Sequence, residues 1–256
     1  LELRAHRRDG AAAEGRRQQP SDPGVVVTLE AEQGLLRGPA GRWLYEDETT
    51  APDTGSRTAR VLAPAGLSFA AADALVSTAV DTYGRLDVMV TNAGILRDRT
   101  LWKMSDEEFD EVVRVHLRGT FTCARAAAIH FREAGHGGRL ILAGSPAGQR
   151  GNFGQTNYAA AKAGIVGMTR TWAIEMKKAG VTANVVVPVA ATAMTKTIPY
   201  FAAAVEATER GEAMHEFFRH GLGFGLPEDV AGLVVWLASD AASYVTGTLV
   251  NCSGGR

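Results

Sequence analysis

Helical and strand patterns alternate along the chain from about Leu67 onward, and this alternation restricts the fold more than any other feature of the sequence. Helical spacing of apolar residues over residues 70–83 is followed by a short apolar run over residues 86–90, and the same order recurs downstream. Strands that alternate with helices pair in parallel, with the helices covering both faces of the sheet. We therefore predict one α/β domain built on a doubly wound parallel sheet.

Capping and turn residues mark the ends of the helices and strands predicted after residue 100. Ser105 and Glu108 form a helix-capping pattern, and the helix that they begin is predicted to reach Glu133, before Gly135. Strands are predicted over residues 139–143, 181–187 and 245–251, and helices over residues 158–178 and 227–237.

The first 66 residues differ in composition from the rest, since they are rich in Arg, Gly, Pro and acidic residues. Their one convincing apolar run, residues 25–29, predicts a strand. Residues 37–66 show no clear helix and no second strand. The fold is therefore expected to have an atypical N-terminal segment.

The composition excludes several classes of partner. The chain has 256 residues, of which 46% are hydrophobic, and a formal net charge of -1, which favours neither nucleic acid nor an anionic membrane surface. No apolar run approaches the ~20 residues that span a bilayer. Cys123 and Cys252 match neither a disulfide framework nor a zinc site, and the histidines lack ligand spacing, so no metal is expected. We expect a protein of the reducing cytoplasm.

Polar and small residues follow three of the predicted strands. Asn92-Ala93-Gly94 comes after the first strand of the patterned region, Gly144-Ser145 after the next, and residues 188–195 after the third. In an open parallel sheet, ligands bind outside the carboxyl ends of the strands. The sequence therefore predicts one crevice lined by these three segments.

Tyr158 and Lys162 stand four residues apart, on one face of a predicted helix. A free phenol titrates near pH ~10, and a neighbouring ammonium group stabilises the phenolate, which lowers the pKa of the phenol toward neutrality. Such a pair alone is common on surface helices. Ser145, thirteen residues upstream, adds a hydroxyl that would hold a substrate oxygen beside Tyr158, and the three residues together are much rarer.

The sequence resembles the short-chain dehydrogenase/reductase family over about three quarters of the chain. The resemblance rests on the presence, in this order, of Asn92-Ala93-Gly94, Ser145, Tyr158 and Lys162. The longer runs 92–99, 115–119 and 151–158 resemble the (3R)-hydroxyacyl-CoA dehydrogenase part of peroxisomal multifunctional enzymes and its bacterial relatives. The resemblance implies a Rossmann-like fold, with residues 67–256 as the catalytic part and residues 1–66 as an atypical or degenerate N-terminal part.

The resemblance also implies chemistry. The chain would be an NAD- or NADP-dependent oxidoreductase that interconverts a 3-hydroxyacyl and a 3-oxoacyl thioester. Tyr158 would exchange the proton of the substrate hydroxyl, Ser145 would orient the oxygen, and Lys162 would hold the ribose of the cofactor. Asn92-Ala93-Gly94 would line the adenosine side of the cofactor, and Thr192 would contact the nicotinamide amide.

Two features of the sequence each allow two interpretations, and a third bears on oligomerisation. His116 stands where many family members have an Asn that completes a proton relay, but a hydrogen-bonded core histidine would fit equally well. Residues 201–224, in the place of the family's substrate lid, would pack against an acyl chain or contribute to the core or a dimer interface. Residues 230–237 and 245–251 resemble the surfaces through which family members form homodimers and homotetramers.

The glycine-rich loop of the family is missing after the first predicted strand. Leu29 and Leu36 stand where glycines are expected, and Gly34 alone remains. Three hypotheses would explain the missing loop: a diverged cofactor site, an N-terminal segment read from the wrong frame, or a family member that has lost catalysis. We favour the second hypothesis, a segment read from the wrong reading frame.

Rival functions are a ketoreductase of fatty-acid or polyketide type, a steroid or sugar alcohol dehydrogenase, and, from another class, a pseudoenzyme or oligomer-forming partner without dinucleotide binding.

Overall fold

The computed structural model describes residues 25–30, 45–46, 57–62 and 68–255. Within these residues, seven strands form one sheet in the order β2-β3-β1-β4-β5-β6-β7. All neighbouring strands pair in parallel except β2, which is antiparallel to β3. The strands are β1 (Val25–Glu30), β2 (Tyr45–Glu46), β3 (Arg57–Leu62), β4 (Val88–Thr91), β5 (Gly138–Ala143), β6 (Val181–Pro188) and β7 (Leu249–Cys252).

Helices connect the strands and cover the sheet. They are α1 (Phe69–Tyr83), α2 (Asp106–Val113), α3 (Gly119–Ala134), α4 (Ala147–Arg150), α5 (Thr156–Glu175), α6 (Ala193–Lys196), α7 (Pro199–Glu209) and α8 (Pro227–Ala238). Successive strand residues point to opposite faces of the sheet, and both faces of β4, β5 and β6 are largely buried. Met89 and Leu140 pack against α1 and α3 on one face, whereas Val90 and Ile141 pack against α8 on the other. The predicted doubly wound sheet is therefore confirmed.

The helix predicted from Ser105 is divided into three parts. Ser105 and Glu108 form the expected capping box, but α2 ends at Val113 and a π-helical turn, Arg114–Arg118, precedes α3. Gly135, with φ of 71°, ends α3 in the left-handed conformation that favours glycine. A π turn inserts one residue into a helix and is frequent at functional sites, and His116 lies inside this one.

Two boundaries differ from the prediction. The helix predicted over residues 158–178 starts at Thr156 and ends at Glu175. The strand predicted over residues 245–251 begins only at Leu249, because Gly247 has φ of 71° and breaks the extended conformation. The Gly247 amide instead donates to the carbonyl of Ala183 in β6.

The N-terminal strand predicted over residues 25–29 is confirmed as β1, Val25–Glu30. The expectation of no second strand within residues 37–66 is wrong, since β2 and β3 lie there and β3 pairs with β1. Gly34 and Leu36, on which the missing glycine-rich loop was argued, lie outside the described residues. No helix in the described part of the chain is long and apolar enough to cross a membrane.

Candidate active site

A cavity of about 890 Å³ opens at the carboxyl ends of β4, β5 and β6. The structure brings into its lining seven of the eight site residues that the sequence singled out: Asn92, Gly94, His116, Ser145, Tyr158, Lys162 and Thr192. Ala93 is not part of the lining. The three segments that follow the three strands thus meet in one crevice, as the parallel topology requires.

Tyr158 and Lys162 extend from the first two turns of α5, and both are buried. The Lys162 Nζ lies 5.6 Å from the centroid of the Tyr158 ring and donates a hydrogen bond of 2.7 Å to the carbonyl oxygen of Ala143. Ala143 is the last residue of β5. The lysine therefore ties α5 to the strand end that is followed by Ser145.

Asn157 fixes the start of α5 and is completely buried. Its Nδ2 donates to the carbonyl oxygens of Arg97 and Glu108, each at 3.0 Å, and its Oδ1 accepts from the Tyr158 backbone N–H at 2.7 Å. The first N–H groups of a helix lack partners within the helix, so this side chain satisfies one of them. Asn157 thereby positions the residue that follows it, a role that the sequence analysis missed.

The loops around residues 92–99 and 151–158 are held together by a short set of hydrogen bonds. The Arg99 amide donates to the Gly154 carbonyl at 2.8 Å, and the Gln155 Nε2 donates to the Asp98 Oδ2 at 2.9 Å. Gly154 has φ of 76°, which favours glycine at this turn. Two of the runs that carried the family resemblance are therefore in direct contact.

The Tyr158 pKa differs from what the sequence suggested. Burial raises the pKa of the phenol above its usual value, and a hydrogen bond with the Ser145 side chain lowers it by a smaller amount. The expectation that Lys162 would bring the pKa down does not hold, because desolvation of the phenolate outweighs the favourable interactions. Tyr158 is consequently protonated at neutral pH.

Burial also lowers the pKa of two basic groups in the cavity. It brings the pKa of Lys162 to about 7 and that of His116 to about 3, and the positive charge of Lys162 contributes to the shift of His116. A buried base is easier to keep neutral, since its charged form loses hydration. His116 is therefore neutral at physiological pH.

His116 contacts both the backbone of the 92–99 loop and the phenol. Its Nε2 lies 3.0 Å from the Ile95 amide nitrogen and 2.8 Å from the Ile95 carbonyl oxygen, so it bonds one or the other according to the position of the ring proton. Its ring packs edge-on against Tyr158, with centroids 4.9 Å apart. His116 is thus a buried, hydrogen-bonded histidine, as one of the two interpretations of the sequence has it, and it also lines the cavity.

The structure gives Gly94 a reason to lack a side chain that the sequence did not indicate. A Cβ at this position would collide with the His116 Cε1 atom and would lie 3.2 Å from the Met194 Cε. The absence of a side chain therefore admits the imidazole. Gly94 also lines the cavity, which leaves the expected approach of a cofactor to its backbone open.

Thr192 is the N-cap residue of α6 and lines the same cavity from the loop that follows β6. Its Oγ1 accepts from the Thr195 backbone N–H at 3.3 Å, and the Thr195 hydroxyl donates to the Ala190 carbonyl at 3.1 Å. These bonds fix the loop after β6, so the Thr192 hydroxyl has a defined place at the cavity wall.

An aromatic cluster forms the outer wall. Phe201 from α7 stacks on Phe224 at 4.5 Å with an angle of 16° between the ring planes, and both residues line the cavity. Phe224 is buried with Val205 in a separate core cluster. The segment therefore serves the core and the cavity wall together. Among the described residues, no group of three or more His, Cys, Asp or Glu side chains could hold a metal ion.

The sequence of the chain was compared with the sequences of known proteins and protein families. A family profile described as enoyl-(acyl carrier protein) reductase matches residues 67–256. The chain is 41% identical over 183 residues to the 3-oxoacyl-(acyl-carrier-protein) reductase FabG of Thermotoga maritima, covering 71% of this chain and 70% of that protein. It is 43% identical over 174 residues to the peroxisomal multifunctional enzyme type 2 of Mus musculus, covering 68% of this chain and 21% of the mouse protein.

A solved structure agrees with the sequence matches. The short chain dehydrogenase from Mycobacterium smegmatis superposes with a TM-score of 0.62 at 35% identity, covering 78% of this chain and 72% of that one. The profile match covers well over half of the chain, and the FabG relative exceeds 40% identity over two thirds of both proteins. The chain therefore belongs to the short-chain dehydrogenase/reductase family of oxidoreductases.

Proposed function

We propose that this protein is an NAD(P)-dependent enzyme that interconverts a 3-hydroxyacyl and a 3-oxoacyl thioester. The observation that carries the proposal is the presence of the Tyr158 phenol, the Lys162 amine and the Ser145 hydroxyl in one cavity. An alcohol and a ketone differ by a hydride and a proton, so the site needs a proton-exchanging group beside a hydride carrier. The nicotinamide ring would supply or accept the hydride at its C4 atom.

Each of the three side chains would have its own role in the proton transfer. Ser145 would hold the substrate oxygen by a hydrogen bond, and Tyr158 would give its proton to that oxygen in the reducing direction. The raised pKa of Tyr158 keeps the phenol protonated at neutral pH, which is the form that reduction requires. Lys162 would stabilise the phenolate that remains, since its amine is held by Ala143 on the same side of the cavity.

Residues on three strand ends would hold the cofactor. The Lys162 amine carries up to three N–H groups, and the described residues provide one acceptor for them, the Ala143 carbonyl. Free donors in a buried amine suit the hydroxyls of a ribose. Asn92, Ala93 and Gly94 would lie along the adenosine side, and Thr192 would contact the nicotinamide amide.

His116 is proposed as a positioning residue that also extends the proton relay. It contacts the Tyr158 ring and the Ile95 backbone, so it restricts the phenol on one side. A neutral imidazole passes a proton without a net change of charge when one nitrogen gives a proton and the other receives one. Its Nδ1 has no hydrogen-bond partner among the described residues.

The substrate class is supported by the names of the relatives and by the cavity. FabG of Thermotoga maritima is named as a reductase of 3-oxoacyl groups on acyl carrier protein. The aromatic wall of Phe201 and Phe224 offers an apolar surface to an acyl chain. We assign the activity to residues 67–256 and regard residues 1–66 as an atypical N-terminal part of the fold, and we propose that the enzyme acts as a homodimer or homotetramer.

The test is a fluorescence titration of the purified chain with NADH and NADPH, together with reduction of acetoacetyl-CoA followed at 340 nm. We expect saturable binding of one nucleotide and measurable turnover. Tyr158→Phe should bind the nucleotide equally well and lose turnover by ~10²-fold or more, since a general acid contributes about that factor.

The alternative, a pseudoenzyme or oligomer-forming partner, makes the opposite prediction. A folded chain that binds neither nucleotide at millimolar concentration would overturn the enzyme proposal. Turnover that survives in Tyr158→Phe would overturn the assignment of the proton donor, while leaving the oxidoreductase class in place.

A further inference from the structure

The charges that line the cavity are all positive. Among the residues that the structure describes, the lining contains two cationic side chains, Lys162 and Arg150, and neither Asp nor Glu. Lys162 is bonded to the Ala143 carbonyl and is assigned to the cofactor. Arg150 is therefore a cationic residue of the lining that has no role in the proposed reaction.

Arg150 lies at the mouth of the cavity. It is the last residue of the short helix α4, which begins two residues after Ser145, and Gly151, with φ of 76°, turns the chain away behind it. The residue is exposed to solvent and also forms part of the lining. A guanidinium group at a cavity mouth keeps its hydration and can still reach a ligand.

The guanidinium of Arg150 is free to bind a ligand. Arg97 and Arg99, on the neighbouring loop, are each paired with a carboxylate, Glu111 at 2.8 Å and Glu108 at 3.1 Å. Within residues 68–255, Arg150 makes no side-chain hydrogen bond and no ion pair. An unpaired guanidinium presents a planar set of donors that fits a carboxylate or a phosphate.

The position of Arg150 points to the substrate and away from the cofactor. It lies on the segment that joins Ser145 to Tyr158, the two residues assigned to the substrate oxygen. The residues assigned to the nucleotide, such as Asn92 and Thr192, follow other strands. A ligand group that reaches Arg150 therefore belongs to the part of the substrate that extends beyond the reacting carbonyl toward the cavity mouth.

We propose that Arg150 is a specificity-determining residue that binds an anionic group of the substrate, an inference that rests on the proposed function. The shared chemistry is an oxyanion, which a thioester substrate carries either as a carboxylate on its acyl chain or as the phosphates of its carrier. Because Arg150 takes no part in the proton transfer in this arrangement, it contributes to KM and leaves kcat nearly unchanged.

The experiment compares wild type with Arg150→Gln on four 3-oxoacyl thioesters. The acyl chain either ends in a carboxylate or does not, and the carrier is either coenzyme A or N-acetylcysteamine, which has no phosphate. Arg170→Gln is the matched control, since Arg170 is an exposed arginine of α5 outside the cavity lining. Arg150→Lys keeps the charge and should recover part of the effect.

We expect Arg150→Gln to raise KM about tenfold for the substrates that carry the recognised anion, with kcat changed less than about twofold. A rise confined to the carboxylate-bearing pair assigns Arg150 to the acyl chain, and a rise confined to the coenzyme A pair assigns it to the carrier phosphates. The rise should shrink in high salt, because exposed charges are screened.

Three results would overturn the inference: an unchanged KM for all four substrates, an equal rise for the neutral substrate without phosphate, or weaker nucleotide binding by Arg150→Gln. Calorimetric binding of the same four compounds to Tyr158→Phe, with and without Arg150→Gln, measures the contact without turnover. If wild type reduces none of the compounds, the proposed function fails, while the calorimetry still decides whether Arg150 binds the anion.

Discussion

The imidazole of His116 packs edge-on against the phenol of Tyr158, with ring centroids 4.9 Å apart. The contact depends on the π turn Arg114–Arg118, which places His116 toward the 92–99 loop, where Ile95 holds it through its backbone. A histidine in this position brings a titratable group into the core, and its protonation is therefore linked to the stability of the fold.

Acid should destabilise the chain through His116. Its pKa is lowered to about 3 in the folded state and is near 6.5 in the unfolded chain, so the unfolded chain binds more protons between these values. The contribution of His116 to stability is complete above pH 6.5 and is lost as the pH falls, by up to ~1.4 kcal/mol per pH unit. His116→Asn lacks this dependence. Urea unfolding at pH 7, 6 and 5 should show a steeper fall for wild type, and equal slopes would contradict the buried neutral state of His116.

Gly94→Ala should destabilise the protein because the added methyl group meets the His116 ring. Overpacking of this kind costs about 1–3 kcal/mol in the free energy of unfolding. Adding His116→Ala opens the space, so the Gly94→Ala penalty should be smaller in that background, a coupling that a double-mutant cycle measures. Gly167→Ala is the control, since nothing lies within 4 Å of its Cβ position inside α5. Equal penalties in both backgrounds would show that the imidazole is not what Gly94 accommodates.

The sheet and its helices could be predicted because burial on both faces produces continuous apolar runs. Val181–Pro188, for example, is buried along almost its whole length, and such a run between turn residues indicates a central strand. The start of β7 could not be predicted, because Val245 is apolar and strand-like while Gly247 breaks the conformation. The π turn was also hidden, because one inserted residue hardly changes the spacing of apolar residues along a helix.

The site could be predicted where residues close in sequence carry the chemistry, as in the pair Tyr158 and Lys162. Contacts between distant segments could not. Asn157 bonds to backbone groups that lie 60 and 49 positions away, and nothing in its own neighbourhood indicates that they approach it. The same limit applies to the pKa of Tyr158, since the desolvation that raises it depends on how the surrounding loops close over the phenol.

Asn157→Ala should destabilise the fold by about 2–3 kcal/mol, because it removes the donor of two partly buried carbonyl groups and the acceptor of one buried helix N–H. Asn251→Ala is a suitable control. Its amide pairs with Gln149 at the surface, where water replaces the lost bond, and a loss under about 0.5 kcal/mol is expected. Chemical denaturation measures both values. A loss no larger for Asn157→Ala than for the control would show that the start of α5 is held by other contacts.

Lys162 should make the free energy of unfolding rise with alkaline pH. Its pKa is lowered to about 7 by burial, whereas an unfolded lysine titrates near 10.4, so between these values the unfolded chain binds more protons and stability increases with pH. The slope from this one group approaches ~1.4 kcal/mol per pH unit, and Lys162→Met removes it. Denaturation of both proteins at pH 7, 8 and 9 measures the difference directly. Nucleotide should reduce the slope of wild type, because ribose hydroxyls that accept from the ammonium group favour its charged form and raise the pKa. Parallel curves for wild type and Lys162→Met without nucleotide would mean that the buried amine keeps its charge, and the ribose would then meet a preformed cation.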